Sequence, residues 1–143
     1  MDESTTRQLA DILSGIQDEK KMEQFMSHPK ITDSYKDFLS YYRSLPAVQA
    51  LSDTELIERS GIEKSYFYQI MKGTRKPSRD KLLRLSIGAG LTLRETTRVL
   101  ELSEMAPLYP KSRRDIIITV AINQKANVID TNLLLDQYGE EAI

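Results

Sequence analysis

The chain has 143 residues and a mass of 16.4 kDa, a length for one compact domain with a small appendage but no second full core. Its 20 Lys and Arg nearly balance 21 Asp and Glu, and an isoelectric point of about 5.9 excludes a polybasic, histone-like coat while leaving room for a local cationic patch. With no cysteine and one histidine, His28, there is no disulfide, no thiolate nucleophile and no Cys- or His-clustered metal site. No Gly-rich phosphate loop and no metal-ligand spacing brings a nucleophile to a base, so the expectation is a non-enzyme with no catalytic residue, no metal and no cofactor. The absence of a run of about 18 apolar residues and of a leader-like start points to a soluble cytoplasmic protein with no membrane partner.

The chain reads as helix after helix. From Thr5 to about Gln17, Leu9, Ile12, Leu13 and Ile16 fall at i, i+3, i+4, i+7, the stripe of an amphipathic helix, with Ser4, Thr5 and Thr6 as candidate N-caps. Met22, Phe25 and Met26 form a weaker stripe, and Pro29 biases His28 out of helical geometry and ends that element. Thr32 or Asp33 caps a helix with Tyr35, Phe38, Leu39 and Tyr42, which stops at Pro46 or passes there into a short turn. Ser52 and Glu55 make a capping box for a short helix that Gly61 ends. Ile62, Phe67, Ile70 and Met71 begin a new apolar period that closes at Gly73, and a basic loop runs on to Pro77. Ser78 caps a helix bearing Leu82, Leu85 and Ala89, and a second capping box, Thr92 with Glu95, opens one bearing Val99, Leu100 and Leu102.

Beyond Pro107 and Pro110, Ser112 to Asp115 looks like another capping-box start. The β-branched run Ile116–Ile122 would suit a buried strand by propensity alone. An offset of 35 residues argues for helix: Arg79, Asp80, Ile87, Thr96 and Leu100 recur as Arg114, Asp115, Ile122, Thr131 and Leu135. Asn127 and Asp130 then stand where Thr92 and Glu95 stood. Residues 112–143 therefore read as a weak second copy of the helix pair at 78–108, stacked on the first. The organisation expected is an N-terminal helical extension at 1–31, a core at 32–108 and a C-terminal helix pair at 109–143.

The informative stretch is Ser52 to Leu102. A short capped helix, a glycine turn and a second helix of about ten residues is the helix-turn-helix plan, with Leu56, Ile62, Phe67 and Ile70 fixing the crossing. Together with Gly73-Thr74-Arg75-Lys76-Pro77-Ser78 and the helix at Lys81–Leu85, this resembles the Xre/phage-repressor (lambda-repressor-like) helix-turn-helix family over residues 33–102, about half the chain. The resemblance implies an all-α fold, a lambda-repressor-like core with extra N- and C-terminal helices.

It also implies that the helix at about 63–72 lies in the major groove of double-stranded DNA. Lys64, Ser65, Tyr68 and Gln69 would then face base edges, where Lys suits guanine and Gln suits adenine. Lys72, Thr74, Arg75, Lys76 and Arg79 would meet phosphates. Seven Lys or Arg against one acid, Asp80, lie between Lys64 and Arg84, a patch on an otherwise acidic chain. The sequence departs from the pattern at Asp53, where many members carry Gln against phosphate, and has an acid, Glu63, at the start of the second helix. Such carboxylates suit helix N-termini, yet near the groove they weaken nonspecific affinity or select a cytosine amino group.

Two functional readings follow. One is a sequence-specific transcriptional regulator of the Xre type, bacterial or phage, working as a homodimer. The other is a protein-interaction module, adaptor or antitoxin-like, that keeps the scaffold without binding DNA. Its partner would dock on the N-terminal helix, at Leu9, Ile12, Leu13 and Ile16, or on an open face of the C-terminal pair.

Overall fold

The computed structural model describes residues 3–27 and 34–143, and side chains from 7 to 27 and from 38 onward. The side chains of Ser4, Thr5, Thr6 and Tyr35, the break at His28 and Pro29, and the cap at Thr32 or Asp33 lie outside them. Among the described residues the chain is all-α, with ten helices and no strand. None of these helices is long and apolar enough to cross a membrane.

Two compact units emerge, Met1–Asp33 and Ser34–Ile143. The first holds α1 (Glu3–Ser14) and α2 (Glu19–Met26), the latter capped by Asp18, whose side chain accepts from the Lys21 N–H. Its apolar stripes remain open: Ile12, Leu13, Met22 and Met26 are all exposed.

The second unit begins with α3 (Ser34–Ser44) and the one-turn α4 (Pro46–Gln49), for which Pro46 supplies a preset first position. Next come α5 (Asp53–Ser60) and α6 (Lys64–Met71), then α7 (Arg79–Gly88) and α8 (Leu93–Leu102). The capping boxes at Ser52 with Glu55 and at Thr92 with Glu95 are both formed, each satisfying two otherwise orphaned N–H groups. Helix α3 packs on α8, and α5 packs on α7. Phe38 and Tyr42, with ring centroids 5.7 Å apart, are fully buried against Leu56, Phe67, Ile70 and Leu85 in a single core. The Tyr42 hydroxyl donates to the Leu85 carbonyl at 2.9 Å, and burial pushes its phenol well above the ordinary range.

The β-branched run Ile116–Ile122 is helical, inside α9 (Arg113–Asn123), and α10 (Val128–Gln137) follows. Ile118, Ala121 and Ile122 face the core, so packing at helical spacing overrides strand propensity. Ser112 caps α9 through the Asp115 N–H, but the Asp115 carboxylate does not reach back to the cap. It accepts instead from Arg79 and from the Tyr109 N–H. Helix α7 touches α8 and α10, and α9 touches the same two, closing a ring of four helices.

The two helix pairs clamp each other reciprocally. Arg79 binds Asp115 and the carbonyls of Ala106 and Pro107; Arg114 binds Asp80 and the carbonyls of Glu141 and Ala142. The carbonyl partners are displaced by the same 35 positions as the arginines, and the two aspartates, themselves 35 apart, are exchanged. Residue i of one copy touching j of the other, while j touches i, is the signature of a two-fold relation.

Candidate nucleic-acid interface

The site is built from α5, α6 and the loop that follows. Gly61 ends α5 in the left-handed region (φ 66, ψ 24), and its N–H bonds to the Ile57 carbonyl, so the chain turns through Ile62 and Glu63 directly into α6. Leu56, Ile62, Phe67 and Ile70 are each at most 3% exposed and lock the two helices together. Arg84 reinforces the bend from α7, donating through Nη1 to the carbonyls of Ser60 (3.1 Å) and Gly61 (3.4 Å).

With that inner face buried, the outer face of α6 is fixed. Lys64, Ser65, Gln69 and Lys72 are exposed and Tyr68 is half-buried, its ring 5.5 Å from that of Phe67 in an edge-to-face contact. Together with Glu63 they line a shallow depression of about 530 Å³. Thr74, Arg75 and Lys76 continue this surface, all exposed. The Thr74 N–H and hydroxyl both donate to the Gln69 carbonyl, at 3.0 and 3.1 Å, tying the basic loop to the end of α6. Arg75 is held at two points: its guanidinium lies 4.2 Å from the centroid of the half-buried Tyr66 ring, and Nη1 donates to Gln69 Oε1 at 3.4 Å. That contact engages the side-chain oxygen of Gln69.

Arg79 is placed differently from the other expected phosphate contacts. Its guanidinium is engaged by Asp115 and two carbonyls, and its side chain is only 23% exposed. Arg84 is likewise directed inward, at Ser60, Gly61 and the Ile143 main-chain oxygen. Lys64, Lys72, Lys76 and Lys81 form no ion pair among the described residues; Lys81 is half-buried with Nζ 5.5 Å from the Tyr66 centroid, so the exposed cationic set is the other three with Arg75.

The two acids that depart from the pattern have partners. Asp53 Oδ1 lies 3.4 Å from Arg43 Nη1, on the surface. Glu63 occupies the N-cap position of α6 without capping it, and instead accepts from the Ser65 hydroxyl at 2.6 Å. Arg43 on α3 and Tyr66 are the members of the site that sequence reasoning missed. No spacing links Arg43 to Asp53 ten residues on, and an aromatic at Tyr66 reads equally well as packing. No group of three or more His, Cys, Asp or Glu among the described residues is placed to hold a metal ion.

Set against known proteins, the chain matches no family model, and neither a curated protein nor a solved structure shows a significant likeness to it.

Proposed function

We propose that this protein is a sequence-specific DNA-binding regulator of the Xre/phage-repressor helix-turn-helix type, with α6 docking in the major groove. The observation that carries the reading is the outer face of α6 and the loop behind it. Lys64, Lys72, Arg75 and Lys76 are all exposed there, while Arg79 and Arg84 are turned inward and the half-buried Lys81 lies over the Tyr66 ring. A patch left unneutralised in an otherwise acidic chain is an electrostatic footprint for a polyanion. Lys64 and Gln69 offer the donors that read guanine and adenine edges, and Lys72, Thr74, Arg75 and Lys76 offer phosphate contacts. The Arg43–Asp53 pair offsets the acid that would otherwise face the backbone.

Fluorescence anisotropy on a mixed duplex pool tests the reading. Three cationic phosphate contacts, from Lys72, Arg75 and Lys76, give a salt slope of about −2.7, so affinity should fall about forty-fold between about 50 and 200 mM salt. No binding at the lower salt would pass the scaffold to the reading in which it serves as a protein-interaction module.

A further inference from the structure

A cleft of about 630 Å³ lies where the ends of α5 and α7 meet the start of α10. Small-molecule sites span about 300–1,000 Å³ and combine an apolar surface with a few polar groups that fix the ligand. Here Ile87, Val128 and Ile129 supply the apolar surface, and Gly88 and Gly90 add no side chain to fill it.

The polar groups of the lining are mostly donors. Arg59 and Lys125 are exposed there, and neither forms an ion pair among the described residues. Asn127 and Asn132 line the cleft as well. Their side-chain oxygens accept from the N–H groups of Asp130 (2.7 Å) and Ile143 (2.8 Å), while their amide N–H groups have no partner among the described residues. Arg84, the third cation of the lining, is already committed: Nε and Nη2 donate to the Ile143 main-chain oxygen, and Nη1 donates to those of Ser60 and Gly61. The one acid is Glu58, exposed and outside any ion pair among the described residues. Two open cations against one open acid leave a single positive charge to be matched, which suits a monoanion. An inorganic ion would leave the apolar surface uncovered, so the anion needs an apolar body.

We propose that this cleft binds a small organic molecule carrying one carboxylate on an apolar body. Arg59 and Lys125 meet the carboxylate, and Ile87, Val128 and Ile129 cover the body. Arg59 and Gly61 set the site against the bend that leads into α6. Such binding requires no DNA and is tested without it.

The test is an NMR titration of the isotope-labelled full chain with phenylbutyrate and with octanoate, each beside the alcohol and the amine of the same skeleton. The carboxylates should give saturable shifts at the backbone amides of Gly61, Gly88, Gly90, Lys125 and Ala126, with a dissociation constant of about 1 mM or lower. The alcohols and amines should bind about tenfold more weakly or not at all, since they bring no anion to Arg59 and Lys125. Arg59→Gln and Lys125→Gly should each weaken the carboxylates about fivefold. Lys125 holds a left-handed backbone (φ 59) that glycine adopts freely, so Lys125→Gly should keep or raise the melting temperature while affinity falls. That combination separates a lost ligand contact from a damaged fold. Four results would each overturn the proposal: no saturable shift with either carboxylate, equal binding by the alcohols or amines, affinity indifferent to both substitutions, or shifts confined to the uncharged groove of Leu93, Leu108, Ile116 and Val120.

Discussion

Arg79 grips Asp115 through two hydrogen bonds of 3.1 and 2.9 Å, and its counterpart Arg114 grips Asp80 through two of 3.1 Å. The geometry is the same, but the surroundings are not. Asp115 is 9% exposed and also accepts from the Tyr109 N–H, whereas Asp80 is 42% exposed. Removing a partner from a buried pair leaves an uncompensated charge, while a solvated pair contributes little. Asp115→Ala should therefore cost about 3 kcal/mol, and Asp80→Ala about 1 kcal/mol or less. Urea unfolding of the two variants checks this, and equal losses would show that water reaches both pairs alike.

The same clamp decides what Arg79 does for DNA. An open phosphate contact, when removed, weakens binding to all sequences and flattens the salt slope by about 1. Lys76→Ala should behave this way with stability unchanged, because Lys76 has no ion pair to lose among the described residues. Arg79→Gln should lower stability and leave the salt slope as it was.

Arg75 carries two roles, since it lies on the exposed loop and holds Gln69 Oε1 at 3.4 Å. Arg75→Ala should both flatten the salt slope by about 1 and relax preference at the base that Gln69 reads. Lys64→Ala should relax preference at a different base. Sequence selection with each variant separates these outcomes, and unchanged preference for both would remove α6 from the groove.

Much of this could be read from local rules. Ser52 with Glu55, Thr92 with Glu95 and the stop at Gly61 each depend on residues within one turn, so they appear in the sequence as they do in the fold. The helical state of Ile116–Ile122 needed a longer view, because branching at Cβ favours a strand and only the match with Lys81–Ile87 argues otherwise. The fate of Arg79, Arg84 and Asp53 could not be read from spacing, since their partners Asp115, Ser60 and Arg43 lie 36, 24 and 10 positions away. A surface cation and an internal clamp have the same local sequence; tertiary packing alone separates them.

Tyr42 gives the fold a weakness at high pH. Its hydroxyl is buried and donates to Leu85 O, and burial raises its pKa above the ordinary value of 10.0. The unfolded chain ionises this group first, so its contribution is complete below about pH 10 and is lost as pH rises toward the folded-state value. Tyr42→Phe should cost about 1 kcal/mol at neutral pH, for the lost hydrogen bond, and should show a shallower fall in stability between about pH 9.5 and 11. Parallel slopes for the two proteins would mean that Tyr42 ionises equally in both states.

Gly88 sets how closely α5 approaches α7. A Cβ built there would lie 2.8 Å from Ser60 N, 2.9 Å from Ser60 Cα and 3.0 Å from Arg59 C, all backbone atoms that cannot rotate away. Gly88→Ala must therefore push the end of α5 outward, and with it the turn at Gly61 that aims α6. Overpacking of this kind costs about 1–3 kcal/mol, offset in part by the gain of up to about 1 kcal/mol that alanine brings within a helix. The expected result is a modest fall in melting temperature with a larger loss of DNA affinity, since the shift at the end of α5 re-aims α6, which carries Lys64 and Gln69. Affinity lost only in proportion to stability would show that α6 keeps its aim without the close α5–α7 contact.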